Sequence, residues 1–248
     1  MLKFKKNGLM VFIADRKISK DDVFIVAELS ANHSKDLEIA LKTLEAVAEA
    51  GADAIKLQTV DPNKITIDCD NKYFKMPAET AWAGQSLYDL EVATFLPKEW
   101  HKPLFDRAKE LNIICFSAPF DTDAIDFLED LHCPAYKIAS FEITDLELIS
   151  KAARTQKPII ISTGIAEISD IKLAVETCKK VGNHNIILLK CTSAYPTPME
   201  EVDLLSMQIL GDKFDCLYGL SDHTIGNIVP LASLALGSSM IEKHVMLD

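Results

Sequence analysis

The chain has 248 residues, 48% of them hydrophobic, with a formal net charge of -11 at neutral pH. That length and apolar content allow a large core that needs no disulfide or metal staple, and an acidic chain without a lysine/arginine run is a poor partner for nucleic acid. Cys69, Cys115, Cys133, Cys178, Cys191 and Cys216 form no Cys-x-x-Cys pair, so they read as reduced thiols, with Cys115 and Cys191 inside buried strands.

At the amino terminus, Asp15, Arg16 and Lys17 interrupt the apolar run before a signal-peptide core forms. No span reaches membrane length, and a cytoplasmic protein is expected. Within residues 1–20, LMVFIA and RKIS pair as a hairpin extension covering the bottom of the following domain. From there, apolar runs of strand length recur at 23–29, 54–60, 113–118, 135–140, 158–164, 186–192, 217–223 and 240–246. Continuous rather than alternating apolarity predicts parallel strands covered on both faces. Helical patterns lie between them, as in 37–51, where Leu37, Ala40, Leu41, Leu44, Val47 and Ala48 form one stripe that stops at Gly51. Eight strands alternating with helices predict an α/β fold, a (β/α)8 TIM barrel over 21–248, rather than an open doubly wound sheet. Residues 61–98 have the length of an active-site loop. The chain stops directly after the last predicted strand, which reads as a barrel truncated at its carboxy-terminal side.

In such a barrel chemistry gathers at the carboxy-terminal ends of the strands. Strand one ends in Glu28, followed by Ser30, Asn32 and His33. Strand two holds Lys56 and Gln58 on one face, because side chains alternate with period two. Lys137, Ser140 and Glu142 end strand four, and Ser162, Thr163 and Gly164 end strand five. Lys190, Thr192 and Tyr195 follow on strand six, Ser221, Asp222 and His223 on strand seven, and Glu242, Lys243 and His244 on strand eight. A lysine in an apolar strand is costly unless it meets an anion, water or a neighbouring acid. Lys56 and Lys137 together therefore point to an anionic ligand, with Ser140, Ser162 and Ser221 as hydrogen-bond donors. His223 and His244 end adjacent strands, where two imidazoles can reach one divalent ion and leave positions open, a pattern suiting Mn2+ or Mg2+ better than structural zinc. Glu242 shares a face with His244 and is a candidate base.

The blocks AELSANH (27–33), GADAIKLQT (51–59), FSAPF (116–120), YKIASFE (136–142), STGIA (162–166), CTSAYPTP (191–198), GLSDHTIG (219–226) and IEKHVMLD (241–248) resemble the sialic acid synthase family. AELSANH and KIASFE look most like its pseudaminic acid branch. The resemblance implies a transferase that condenses phosphoenolpyruvate with an acetamido sugar, here 2,4-diacetamido-2,4,6-trideoxy-altrose. Lys56, Lys137, Ser140, Ser162 and Ser221 would bind phosphoenolpyruvate, while His223 and His244 would hold a divalent metal. Glu28, Gln58, Glu142, Tyr195, Asp222 and Glu242 would line the sugar and water side, with Glu28, Glu142 and Glu242 as the catalytic carboxylates. Ala118 and Ser193 depart from the neuraminate pattern and weigh against N-acetylmannosamine. The resemblance also implies a homodimer whose members carry a small carboxy-terminal domain that lends an arginine to the partner's site. Alternatives are an N-acetylneuraminate or legionaminic acid synthase, a synthase of phosphorylated sugars, a lysine Schiff-base aldolase and a non-catalytic sugar-phosphate-binding barrel.

Overall fold

A computed structural model describes residues 9–78, 80 and 82–247. The strands are β1 (Val11–Ile13), β2 (Arg16–Ile18), β3 (Phe24–Glu28), β4 (Ala54–Thr59), β5 (Ile114–Pro119), β6 (Tyr136–Ile138), β7 (Ile159–Ser162), β8 (Ile186–Cys191), β9 (Leu217–Asp222) and β10 (Met240–His244). The helices are α1 (Leu37–Glu49), α2 (Pro62–Ile65), α3 (Leu87–Thr94), α4 (Lys98–Glu110), α5 (Thr122–Asp130), α6 (Leu146–Arg154), α7 (Ile168–Lys180), α8 (Leu205–Phe214) and α9 (Ile228–Ala235). β3 to β10 close into a parallel barrel in which β10 pairs both β9 and β3. The expected (β/α)8 barrel is the observed fold, and each of its eight strands overlaps one predicted run.

Local signals explain the boundaries. The Asp36 side chain accepts from the Glu38 amide and starts α1, and Ala40, Leu44 and Val47 turn its apolar stripe to the core. Gly51 then adopts a φ of +82°, a left-handed conformation open to glycine, and the chain turns into β4. Inside the barrel, Phe24, Val26, Ala54, Phe116, Ile160, Leu189 and Met240 belong to one apolar cluster. They floor the cavity above them.

β1 and β2 pair antiparallel as the predicted hairpin, and Val11, Ile13 and Ile18 join that same cluster. Arg16 ties the hairpin to the barrel through Asp53 (2.9 Å) and Asp22 (2.8 Å). Residues 1–8 of the predicted extension lie outside the described residues. All six cysteines are free, and all but Cys69 are buried. No described helix is long and apolar enough to cross a membrane.

Gly219 lets β9 lie close against the backbone of β10. A Cβ there would meet the Met240 carbonyl oxygen of β10 at 2.2 Å and Leu189 Cδ2 at 3.0 Å. A backbone oxygen inside a paired strand cannot move aside without opening the ladder. Gly219→Ala is therefore expected to cost about 3 kcal/mol and to lower Tm by roughly 10 °C in a thermal melt.

Candidate active site

The carboxy-terminal mouth of the barrel holds a cavity of about 430 Å³. Neighbours in register on parallel strands present their side chains to the same face, so the ladder itself gathers its charges. Glu28 on β3 is in register with Lys56 on β4 and His244 on β10. Glu242 on β10 is in register with Ser221 on β9.

Four of these side chains form a buried ionic cluster. Lys56 Nζ lies 3.0 Å from Glu28 Oε1 and 3.1 Å from Glu242 Oε1. Lys137 Nζ donates to Glu242 Oε1 at 2.7 Å, and Ser221 Oγ donates to that oxygen at 3.0 Å. Gln58 Nε2 donates to Glu28 Oε1 at 2.9 Å. Each lysine is thus balanced by an acid of the fold, so two ammonium and two carboxylate groups sum to no net charge. Four polar groups in and beside the cluster keep unused capacity. Lys56 spends two of its three N–H donors on carboxylates and Lys137 spends one. Ser162 Oγ and Glu242 Oε2 are buried without any hydrogen-bond partner. Unpartnered polar atoms at the wall of a cavity can bond water or a polar ligand that enters it.

The electrostatics follow from this geometry. Burial acts to lower Lys56, but Glu242 and Glu28 outweigh it and hold the ammonium above its ordinary value. Burial dominates for Lys137 and brings it below the lysine range despite Glu242. Burial would raise Glu242, yet Lys137 and Lys56 keep it far below the usual carboxylate range. Glu28 is likewise lowered, with Lys56 overcoming burial.

His223 and His244 face the same cavity with ring centroids 5.2 Å apart. His223 Nδ1 lies 2.8 Å from the Thr192 carbonyl. A carbonyl only accepts, so Nδ1 carries the proton and the lone pair of the neutral ring sits on Nε2, the form a metal ligand takes. His244 Nε2 lies 3.4 Å from Glu28 Oε2, and burial lowers its pKa towards the neutral ring. Tyr195 covers the pair, its ring centroid 4.0 Å from that of His223. No cluster of three or more His, Cys, Asp or Glu groups suited to a metal occurs among the described residues. An ion bound by these two imidazoles would take its remaining ligands from water and substrate, as expected of an open site.

Comparison with known proteins identifies the lineage. The NeuB family model matches residues 43–248. The chain belongs to the NeuB family. This NeuB-family chain is 50% identical over 224 residues to pseudaminic acid synthase from Helicobacter pylori, covering 90% of the chain and 66% of that relative. It is 45% identical over 226 residues to pseudaminic acid synthase from Campylobacter jejuni, again covering 66% of the relative. The chain thus spans about two thirds of the length of these relatives. Among solved structures, N-acetylneuraminic acid synthetase from Leptospira borgpetersenii superposes with a TM-score of 0.86 at 31% identity, covering 97% of this chain and 79% of that one.

Of the residues singled out in the sequence, Glu28, Lys56, Gln58, Lys137, Ser140, Ser162, Tyr195, Ser221, Glu242, His223 and His244 line the one cavity. Asp222 does not line this cavity but a neighbouring opening that it shares with Tyr195, His223 and His244. Strand alternation turns it away from Ser221, and its carboxylate accepts from the Thr224 amide (3.1 Å), the Thr224 hydroxyl (2.8 Å) and the Lys243 ammonium. Its work is to shape the turn that carries His223. Glu142 stands on the turn after β6, outside the cavity wall, with Oε2 buried and unpartnered. His33 is buried against Trp100, away from the cavity. Residues 61–98 contain α2 and α3 and lean on the rim, Lys64 Nζ reaching Asp121 at 3.1 Å, but none of their described side chains lines the cavity. Cys191, read as a thiol of a buried strand, also lines the wall, and beside it the Gly164 amide, singled out in the sequence at the end of strand five, donates to Ser140 Oγ at 3.0 Å.

Burial pushes the Glu142 carboxyl up to about 7. A raised acid holds its proton in the folded state, so its contribution to stability is fully present below about pH 4.5 and is lost as pH rises through about 7. Allowing for partial exposure, the loss is about 2 kcal/mol. Glu142→Gln is expected to raise the urea midpoint at pH 8 and to leave it unchanged near pH 4, as parallel denaturation curves would show.

Proposed function

We propose that the chain carries the catalytic barrel of an enzyme condensing phosphoenolpyruvate with 2,4-diacetamido-2,4,6-trideoxy-altrose to give pseudaminic acid and phosphate. The single observation that supports this most strongly is the convergence, in one cavity, of the Lys56/Lys137 ammonium pair, the unpartnered Ser162 hydroxyl and the His223/His244 imidazole pair. Identity to the pseudaminic acid synthases points to the sugar.

In this reading the spare N–H donors of Lys56 and Lys137, with Ser162 and Ser221, hold the phosphate and carboxylate of phosphoenolpyruvate. A divalent ion, Mn2+ or Mg2+, held by His223 and His244 would supply Lewis-acid polarisation of the sugar aldehyde. C3 of phosphoenolpyruvate bonds to the aldehyde carbon, and water adds to C2. Collapse of the resulting adduct breaks the bond from C2 to the bridging oxygen and frees phosphate. Of the two protons of water, one ends on the former aldehyde oxygen and the other leaves with phosphate. Glu242 is better placed than Glu28 to orient that water, because its Oε2 is unpartnered while Glu28 Oε1 accepts from Gln58 and lies 3.0 Å from Lys56 Nζ. With the lysines already balanced, a divalent ion held by His223 and His244 would also supply positive charge towards that of the enol phosphate.

By the same reading the active protein is a homodimer in which a segment beyond this barrel completes the site. A phosphate-release assay on the full-length protein with phosphoenolpyruvate and manganese tests the proposal. Release is expected with the diacetamido trideoxy sugar and at least tenfold less with N-acetylmannosamine. Release with a phosphorylated aldose alone would reject it.

A further inference from the structure

Two imidazoles share an ion only if both are held in place, and the two rings of this cavity are held in different ways. His223 is fixed through its own ring, Nδ1 donating to the Thr192 carbonyl at 2.8 Å. Among the described residues the His244 ring makes no bond that short, its approach to Glu28 Oε2 being 3.4 Å. Its direction therefore depends on the backbone at the end of β10. That end is thinly held, because pairing with β9 stops at Lys243 and Met246 is already 71% exposed. Towards β3 the ladder runs further, and the Val245 amide donates to the Glu28 carbonyl at 3.0 Å.

In a parallel ladder the next rung would join the Ser30 amide to the Val245 carbonyl. The chain has left the strand by then, since Ser30 turns into the left-handed region with a φ of +52°. The Asn32 side chain supplies the missing donor. Its Nδ2 bonds the Val245 carbonyl at 2.9 Å, while its backbone amide bonds the Leu29 carbonyl at 3.0 Å and closes the turn that brings the side chain there. Asn32 lines neither the cavity nor the opening beside it, so it reaches a bound ion only through His244.

We infer that Asn32 is a positioning residue for His244: its side-chain amide replaces a rung of the barrel ladder and so fixes the direction in which that imidazole meets a divalent ion. The inference rests on the two-imidazole metal site proposed above. Without Nδ2 a single bond to β3 holds the backbone that follows His244, and the ring gains freedom that ion binding must remove. Loss of an outer partner that orients a metal ligand weakens the ion by about 10- to 100-fold.

The test measures Mn2+ binding to the full-length protein by calorimetry, without substrate. Asn32→Ala is expected to weaken Mn2+ about tenfold, against at least about 100-fold for His244→Ala. Asn32→Asp keeps the shape and removes the N–H donor, so it should weaken the ion as Asn32→Ala does, although its added negative charge would by itself tighten it. In phosphate release, the Mn2+ concentration for half-maximal rate should rise about tenfold in Asn32→Ala while kcat at saturating Mn2+ stays within about twofold of wild type. Phosphoenolpyruvate binding in chelator, unchanged in both variants, shows that they are folded. Wild-type Mn2+ affinity in Asn32→Ala, tighter Mn2+ in Asn32→Asp, or an equal weakening of Mn2+ and phosphoenolpyruvate overturns the role of Asn32 and leaves the metal reading standing. Mn2+ affinity unaltered by His244→Ala overturns both.

Discussion

Glu242→Gln is expected to abolish phosphate release, with a loss of at least about 1,000-fold in kcat, and to destabilise the barrel by about 3 kcal/mol. Glu242 Oε1 accepts from Lys137 and Ser221 and lies 3.1 Å from Lys56, so a single buried oxygen balances two ammonium groups 105 and 186 positions away in sequence. Replacing the carboxylate by an amide keeps the shape and removes the charge. Lys137 then loses its carboxylate partner while burial already pulls it below the lysine range. Removing one member of a buried ion pair costs more than the pair contributes, because the remaining charge stays desolvated. Part of that cost is avoided if the Lys137 amine sheds its proton, and the loss of activity follows either way, since a neutral amine no longer stabilises departing phosphate. Urea denaturation and single-turnover phosphate release measure the two effects separately. A variant with wild-type stability would mean that the buried cluster is not held together as described.

The second large effect is expected at the imidazoles. His223→Ala should reduce condensation by at least about 1,000-fold while phosphoenolpyruvate binding, measured by calorimetry in the presence of chelator, stays within a few-fold of wild type. The reason is spatial. His223 and His244 occupy the β9 and β10 side of the mouth, whereas Lys56 and Lys137 bond the carboxylates at the centre of the barrel. The fold should tolerate the change, because His223 is half-buried just past the end of a strand and its ring reaches the Thr192 carbonyl, the Cys191 thiol and the exposed Tyr195 ring, while its own carbonyl keeps the Thr197 amide in the variant. Normal turnover in this variant after chelation would remove the metal from the proposal.

Much of this arrangement was legible in the sequence, for identifiable reasons. Continuous apolar runs such as 186–192 can be buried on both faces only in a parallel sheet, and eight of them in alternation with helices leave the closed barrel as the natural solution. Lys56 and Lys137 stood out because charge is expensive in such runs. Their partners were harder to find: Glu28, Lys56 and Glu242 meet through strand register and barrel closure, and neither is written in local pattern, so a neighbouring acid could be named only as an alternative to an anionic ligand. Asp222 follows a different rule: period-two alternation separates it from Ser221 and His223 and turns its side chain to the neighbouring opening rather than into the cavity of the lysines. Cys191 is the free thiol of a buried strand that the sequence predicts, but an apolar neighbourhood in sequence does not say that its side chain also meets the cavity. The segment 61–98 has an active-site loop's length, yet length does not fix direction, and its described residues settle on the rim.

The most direct measurement is a crystal structure of the barrel with phosphoenolpyruvate and manganese both bound. The account predicts the phosphate within hydrogen-bond reach of Lys56, Lys137 and Ser162, and the metal ion on His223 and His244 in the same cavity. Phosphoenolpyruvate bound elsewhere, or a metal ion that ignores both imidazoles, would contradict it.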